Sequence, residues 1–441
     1  MSPPVDPIAS DPRLPDAADV VVIGGGVIGV SAALALARKG LSVAIVEKGR
    51  VGAEQSSRNW GWCRQQGRAP AEIPLARESL RLWDEAEREG ADCGFRRTGV
   101  LFCTDDPKDL PRWQAWADGA REHQVHSSIL QGEELAARLP GNRQGWIAAL
   151  WTPSDGRAEP SRAVPALAGL ARRHGATIHQ ACAARGLETT GGRVSAVVTE
   201  AGRICTASVL LAGGAWSSLF CRRHGIDLPI GLVNATACRT TPGPEIGPGA
   251  VGTQGVCARR RLDGGFTLAM RGRGTVEITP DLFRHARQFL PTYRERRKGL
   301  KVRIGRSFLE GLFRGASWSL DGPSPFEATR ILDPRPDPAL VAEAIAEFTA
   351  SNPALADLRV AESWGGCIDS TPDTVPVISD VAALPGLVLA TGFSGHGFGI
   401  GPASGRLAAD LVTGDAPLVD PAPYSYARLV DGRSPAPSGA L

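Results

Sequence analysis

The sequence predicts an α/β fold (α+β overall), with a Rossmann-type nucleotide-binding domain interleaved with a mixed β-sheet domain. Three observations carry that prediction. The chain opens on a strand, a glycine-rich turn, a helix and a second strand ending in an acid. Two further short apolar strands run into glycine-rich turns, one near residue 210 and one near residue 390. The intervening stretches hold short strand patterns punctuated by Gly and Pro, without an internal repeat.

The opening unit is the most informative. Residues 20–23 (VVVI) form a β-branched run of the kind that makes a fully buried strand. Gly24, Gly25, Gly26, Val27, Ile28 and Gly29 spell G-x-G-x-x-G, and the Ala- and Leu-rich stretch behind them ends in Arg38, Lys39 and Gly40, a helix with its stop signal. The second strand, 43–46, leads into Glu47. Gly24 allows the tight turn, Gly26 lets backbone approach a pyrophosphate, and Gly29 lets helix and strand pack closely with the anion at the helix N-terminus. Glu47 is placed to accept the hydroxyls of an adenosine ribose and disfavours a 2′-phosphate. The 18 uncharged residues between Asp19 and Arg38 reach the lower limit of a membrane span, but their strand–turn–helix pattern marks a buried βαβ unit instead.

Composition narrows the class. The chain has 441 residues, 43% hydrophobic and 22% charged, a globular balance despite 53 Gly and 34 Pro. A formal net charge of +3 without a basic block argues against nucleic acid as a partner, and no transmembrane segment is expected. Nine cysteines, none in C-x-x-C spacing, exclude a zinc ribbon and fit reduced thiols in a cytoplasmic protein. No metal site is expected.

The remaining glycine blocks indicate a cofactor larger than a mononucleotide. Behind Lys48 lies a donor-rich loop containing Ser56, Ser57, Arg58, Asn59, Trp60, Gly61, Trp62, Cys63, Arg64, Gln65 and Gln66. The strand at 208–211 runs into Gly213, Gly214 and Trp216. Near the C-terminus, the strand at 387–390 runs into Gly392, Phe393, Ser394, Gly395, His396, Gly397, Phe398 and Gly399, then an Ala/Leu helix. A helix N-terminus there would face the electron-rich edge of a reduced flavin. An NAD-linked dehydrogenase would need neither of the later blocks.

In this order, the motifs resemble the D-amino acid oxidase/dehydrogenase superfamily of flavoproteins, which includes glycine oxidase, sarcosine oxidase and bacterial D-amino acid dehydrogenases. The resemblance covers about residues 19–415 and is specific in the three blocks. It implies a glutathione-reductase-type FAD domain (19–85, 152–228 and 355–415) and a substrate domain (86–151 and 229–354). A disordered leader, 1–18, and tail, 432–441, are expected to flank them. The implied chemistry is oxidation of an α-amino acid (D- or L-) or secondary amine to the imine by hydride transfer to flavin N5. The imine then hydrolyses to a keto acid and ammonia, and oxygen or another acceptor takes the electrons. Two alternatives stand beside it: a flavin-binding electron-transfer subunit of an amine dehydrogenase complex, and a sarcosine-oxidase-like N-methyl amine oxidase.

One departure from the family matters. Many amino-acid-oxidising members carry an Arg that holds the substrate carboxylate in the strand before the terminal loop. Aligning on Thr371-Pro372-Asp373 puts Ile368 at that position, beside Gly366. Guanidinium is the natural partner of a carboxylate. Arg64 and Arg58 are therefore the first replacement candidates, with Arg157, Arg271 and Arg273 behind them. Asp369 and Asp373 are candidates for a substrate ammonium, His396 for a flavin-lining or proton-transfer group, and Trp60, Trp62, Trp216 and Trp364 for aromatic walls. The resemblance also raises a covalent flavin at Cys367, one residue out of register, so non-covalent FAD is the expectation.

Overall fold

A computed structural model describes residues 3–305 and 317–431. Its first layer is a six-stranded sheet in the order Val377–Asp380, Leu387–Thr391, Val209–Leu211, Val20–Ile23, Val43–Val46, Thr177–His179. Neighbours are parallel except at the Val377–Asp380 edge, which pairs antiparallel. The four central strands are buried throughout, as apolar runs covered on both faces must be. Helix Val27–Arg38 makes the first crossover. The terminal helix Gly397–Thr413 packs on it closely because it carries glycines: a Cβ on Gly405 would lie 2.5 Å from the Ala32 nitrogen.

The second layer is a ten-stranded mixed sheet. Its axis is strand Gly231–Thr240, flanked along its length by Val360–Ser370. The segment holding Val360–Ser370 was expected in the nucleotide domain. The strand pairs instead with the large sheet, from Gly231↔Ser370 to Thr240↔Val360, and its far end delivers Cys367 and Asp369 to the junction of the layers. Among the strands of the large sheet are Val100–Thr104 and Ala148–Thr152, paired antiparallel. Strand Arg193–Thr199 belongs to a separate three-stranded antiparallel sheet.

Helix Ile73–Arg88 buries Ile73, Ala76, Leu80 and Trp83 as its periodicity predicts. The leader is not disordered from residue 3 onward. Asp11 accepts from the Ile178 amide at 2.7 Å and pairs with Arg172 at 2.6 Å, and the Ala18 amide bonds the Cys205 carbonyl at 3.0 Å. Its prolines and aspartates fix turns and meet donors on the sheet edge, which composition alone does not reveal. The tail, 432–441, lies outside the described residues. Among the described residues, no helix is long and apolar enough to cross a membrane, and no cluster of metal-ligating side chains occurs.

Candidate active site

A cleft of about 1220 Å³ of empty space, its open mouth included, runs across the carboxyl ends of the parallel strands, the place where open α/β sheets bind ligands. At its closed end the first turn is built as the spacing requires. Gly24 has φ +112, and a Cβ there would stand 2.4 Å from the Ala212 carbonyl oxygen. A Cβ on Gly29 would stand 2.1 Å from the Gly24 oxygen. Gly29 thus works behind the cleft, by letting the helix seat on the turn. Gly26 caps helix Val27–Arg38, and the Ser56 hydroxyl accepts from the Val27 amide at 2.9 Å, tying the donor-rich loop to the helix start.

Glu47 closes the next stretch. Its carboxylate accepts the Gly25 and Gly49 amides, both at 2.7 Å, and burial pushes its pKa above the usual carboxylate value. Each oxygen keeps a lone pair for a ribose hydroxyl. Lys48 is engaged by Glu54 at 2.7 Å and lies 4.3 Å over the Trp216 ring, whose indole N–H also donates to Glu54. These side chains, with Asn59, Gly213 and Gly214, line the cleft.

At the other end, the terminal loop is pinned by Asp369. Its carboxylate accepts the Gly392 amide at 2.7 Å and the Thr391 hydroxyl at 3.3 Å, while its carbonyl accepts the Ser394 amide at 2.8 Å. Asp369 is buried, which raises its pKa, and its Oδ2 braces the loop, while the residue also lines the cleft. Phe393, Gly395, Gly397 and Phe398 are thereby presented to the cleft at the N-terminus of the terminal helix.

Several candidates fall elsewhere. Arg58 is buried and committed: it pairs with Asp333 at 3.1 Å and donates to the Gly365 and Ala53 carbonyls. Trp364 is a core residue beside Trp60, with its indole bonded to the Arg58 carbonyl at 3.0 Å. Asp373 pairs with Arg428 at 2.8 Å. Ser57 is buried and bonds the Glu54 carbonyl at 3.1 Å. Gly392 faces Thr371, and Gly366 sits under Gln55. Gly399 packs against the Trp62 carbonyl and accepts the Trp83 indole N–H at 3.1 Å, so it serves helix packing rather than the cofactor. Ile368 lies within 3.6 Å of where a Gly395 Cβ would stand, an apolar contact at the position of the family Arg. Cys367 does line the cleft, and burial raises its thiol pKa.

Arg64 is different. Its guanidinium donates to the Gln66 carbonyl, and no carboxylate lies within 4.0 Å of Arg64, Arg68 or Arg271 among the described residues. Burial, reinforced by the charge of Arg68, pushes the Arg64 pKa down to about 9. Asp155, an acid from the turn after strand Ala148–Thr152, is occupied by the Gln65 and Gln66 amides at 2.8 and 3.0 Å. Close to Arg64 and Arg68 stands His396, whose Nδ1 lies 3.6 Å from Glu72. Arg68 and Glu72 escaped sequence reasoning: Glu72 reads as the first residue of an amphipathic helix. Only the fold brings it to a histidine more than 300 residues away.

A long cleft over a Rossmann sheet, with a cluster of arginines close to His396 at the start of the helix that borders it, defines a dinucleotide-dependent oxidoreductase. Residues 19–411 match the profile of DAO, the FAD dependent oxidoreductase family, and the chain belongs to that family. Glycine oxidase from Pseudomonas aeruginosa is 29% identical over 429 residues, covering 92% of this chain and 98% of the relative. The structure of L-amino acid deaminase from Proteus myxofaciens in complex with anthranilate is 35% identical, with a TM-score of 0.93 and 97% of each chain covered. That of L-amino acid deaminase from Proteus vulgaris is 31% identical, with a TM-score of 0.91, covering 95% of this chain and 98% of that one. FAD is the cofactor, and the residues fit it: a Cβ at Gly24 or Gly29 would collide with backbone, Glu47 retains ribose-facing lone pairs, and two helix N-termini border the cleft.

Proposed function

We propose that the chain oxidises the Cα–N bond of an L-amino acid to the imine, which hydrolyses to the keto acid and ammonia. The observation that supports this reading is the group of three neighbouring arginines, Arg64, Arg68 and Arg271, none with a carboxylate within 4.0 Å among the described residues, two of which, Arg64 and Arg68, lie close to His396. Guanidinium groups crowded together away from water favour an anion that enters with its own negative charge. Likeness to the two L-amino acid deaminase structures supports the L-configuration, and likeness to glycine oxidase supports an amino-acid substrate.

FAD, when bound, supplies the two-electron acceptor. The chain's own part is positioning. Gly24–Gly29 and the start of helix Val27–Arg38 hold the pyrophosphate, and Glu47 the adenosine ribose. The N-terminus of helix Gly397–Thr413 offers positive potential where the reduced cofactor gathers negative charge. Arg64 fixes the substrate carboxylate, which leaves the Cα–H bond as the part of the substrate directed at the cofactor. Orientation of this kind accounts for most of the rate in a reaction that needs no strong base at carbon.

Anaerobic titration of the yellow holoprotein tests this reading by following bleaching of the flavin band near ~450 nm. L-Amino acids should bleach it, while D-amino acids and N-methylated amines should not. Bleaching by N-methylglycine alone would establish the N-methyl amine oxidase alternative. A flavin reduced by dithionite but by no amine would establish the electron-transfer alternative.

A further inference from the structure

Two helices begin at the same buried point. Helix Ile73–Arg88 starts directly after Glu72, and helix Gly397–Thr413 starts directly after His396. They pack together, with the Trp83 indole on the Gly399 carbonyl and the Ser79 hydroxyl accepting from the Ala403 amide at 3.3 Å. Glu72 is 0% exposed, yet neither of its carboxylate oxygens has a hydrogen-bond partner. The nearest ring nitrogen, His396 Nδ1, is also buried and unpartnered, 3.6 Å away. A fully buried, unsatisfied carboxylate is expensive. It is tolerated here because two helix N-termini and the Arg68 and Arg64 charges converge on it.

We propose that Glu72 is a positioning residue that holds the His396 ring with Nδ1–H toward its carboxylate, leaving the Nε2 lone pair to accept an N–H of the substrate amine. The proposal rests on the amino-acid reading above and adds to it the group that orients the nitrogen, opposite the arginine that orients the carboxylate. Gly395 and Gly397, the chain neighbours of His396, line the cleft. The side chain keeps 14% exposure although Nδ1 is buried, so the accessible part of the ring is away from Glu72. The groups around the pair are Arg64 and Arg68 from the preceding loop and Tyr424 from the C-terminal segment, whose hydroxyl donates to the Ala71 carbonyl at 2.7 Å. Burial and Arg68 push the imidazole pKa down to about 4, so the ring is neutral at working pH and one nitrogen must be an acceptor. The acid at Nδ1 determines which nitrogen that is. Catalytic hydrogen bonds of this length, 3.6 Å, tighten as substrate binds.

The test uses the FAD-loaded enzyme with its seven histidines labelled with nitrogen-15 in the ring. The His396 signals are assigned by their loss in His396→Asn. Wild type at pH 7 should show His396 protonated at Nδ1 and bare at Nε2. In Glu72→Gln, whose amide can present either a donor or an acceptor, part of the population should switch to the other tautomer. The kcat for the best amino acid should then fall about 10- to 100-fold, the range seen when a group orienting a functional His is lost, with KM and FAD content within about twofold of wild type. Glu72→Asp, keeping the charge, should retain the wild-type tautomer. An Nε2–H tautomer in wild type, or an unchanged tautomer and kcat in Glu72→Gln, overturns the proposal. The tautomer readout needs no turnover, so a wild type inert to amino acids overturns the functional reading instead.

Discussion

The two ends of the cleft are built on opposite plans. The nucleotide end is made of backbone: glycines whose missing side chains leave room, helix-start amides, and one acid already satisfied by two of them. The substrate end is made of side chains: three arginines with no carboxylate within ion-pair distance among the described residues, a buried carboxylate with no hydrogen-bond donor, and a neutral imidazole beside them. The first is complete before its ligand arrives, whereas the second is left with charges that a zwitterion would satisfy. Substitutions at the nucleotide end should therefore act by steric exclusion and remove the cofactor. Those at the substrate end should spare the cofactor and change how substrate is held.

The largest effect is expected at Gly24. Valine there would have to adopt a positive φ, at about 1–3 kcal/mol. Its Cβ would also overlap the Ala212 carbonyl, at roughly another 1–3 kcal/mol. The sum, about 2–6 kcal/mol, corresponds to at least ~30-fold weaker FAD binding, so Gly24→Val should purify with little or no flavin. A variant that keeps a full complement of flavin would show that the turn relaxes and that the steric account of this end is wrong.

The same contrast explains what was legible in the sequence. Close backbone approach requires glycine at fixed spacing after a strand, and that requirement is written locally. Gly24–Gly29, Glu47, Gly213–Gly214 and the loop after residue 391 could therefore be found in the linear chain. The substrate end has no local grammar. Arg64 lies near Arg271 and His396 only because the large sheet and the terminal helix close around the loop after Trp62. Arg58, six residues before Arg64, is diverted to Asp333 by packing that no local pattern signals. Trp364 looked like a cavity wall, but on a strand paired along both halves of Gly231–Thr240 its side chain falls in the core. Gly399 satisfied the motif yet faces the wrong side of its helix, since residues two apart on a helix point in nearly opposite directions.

The next effect sharpens the substrate end. Arg64→Ala should raise KM for amino acids about 10- to 100-fold, the value of ~1.5–3 kcal/mol for hydrogen bonds to a charged group, with unchanged FAD content. Arg271→Ala, made alongside, ranks the two guanidinium groups. Arg271 stacks on Phe102 at 4.4 Å and is partly held by that contact, so its loss should cost less. A larger rise in KM for Arg271→Ala would transfer the anchor from the loop to the large sheet.

The smallest effect separates the two ends by sign. His396 is held at about 4, below its ordinary 6.5, so the unfolded chain binds more protons between those values. Its contribution to stability is present above pH ~6.5 and is lost as pH falls toward 4. Glu47 is shifted the other way: burial raises its pKa above 4.5, so the folded chain binds the extra proton and stability falls as pH rises past the ordinary carboxyl range. With FAD removed, the urea midpoint followed from pH 4 to 7 should thus respond oppositely to the two substitutions. His396→Asn should flatten the climb with pH, and Glu47→Gln should steepen it. Each change is at most about 1.4 kcal/mol per pH unit for one proton. Changes of the same sign would mean that the two ends share one electrostatic environment, and the division between a satisfied nucleotide end and an unsatisfied substrate end would fail.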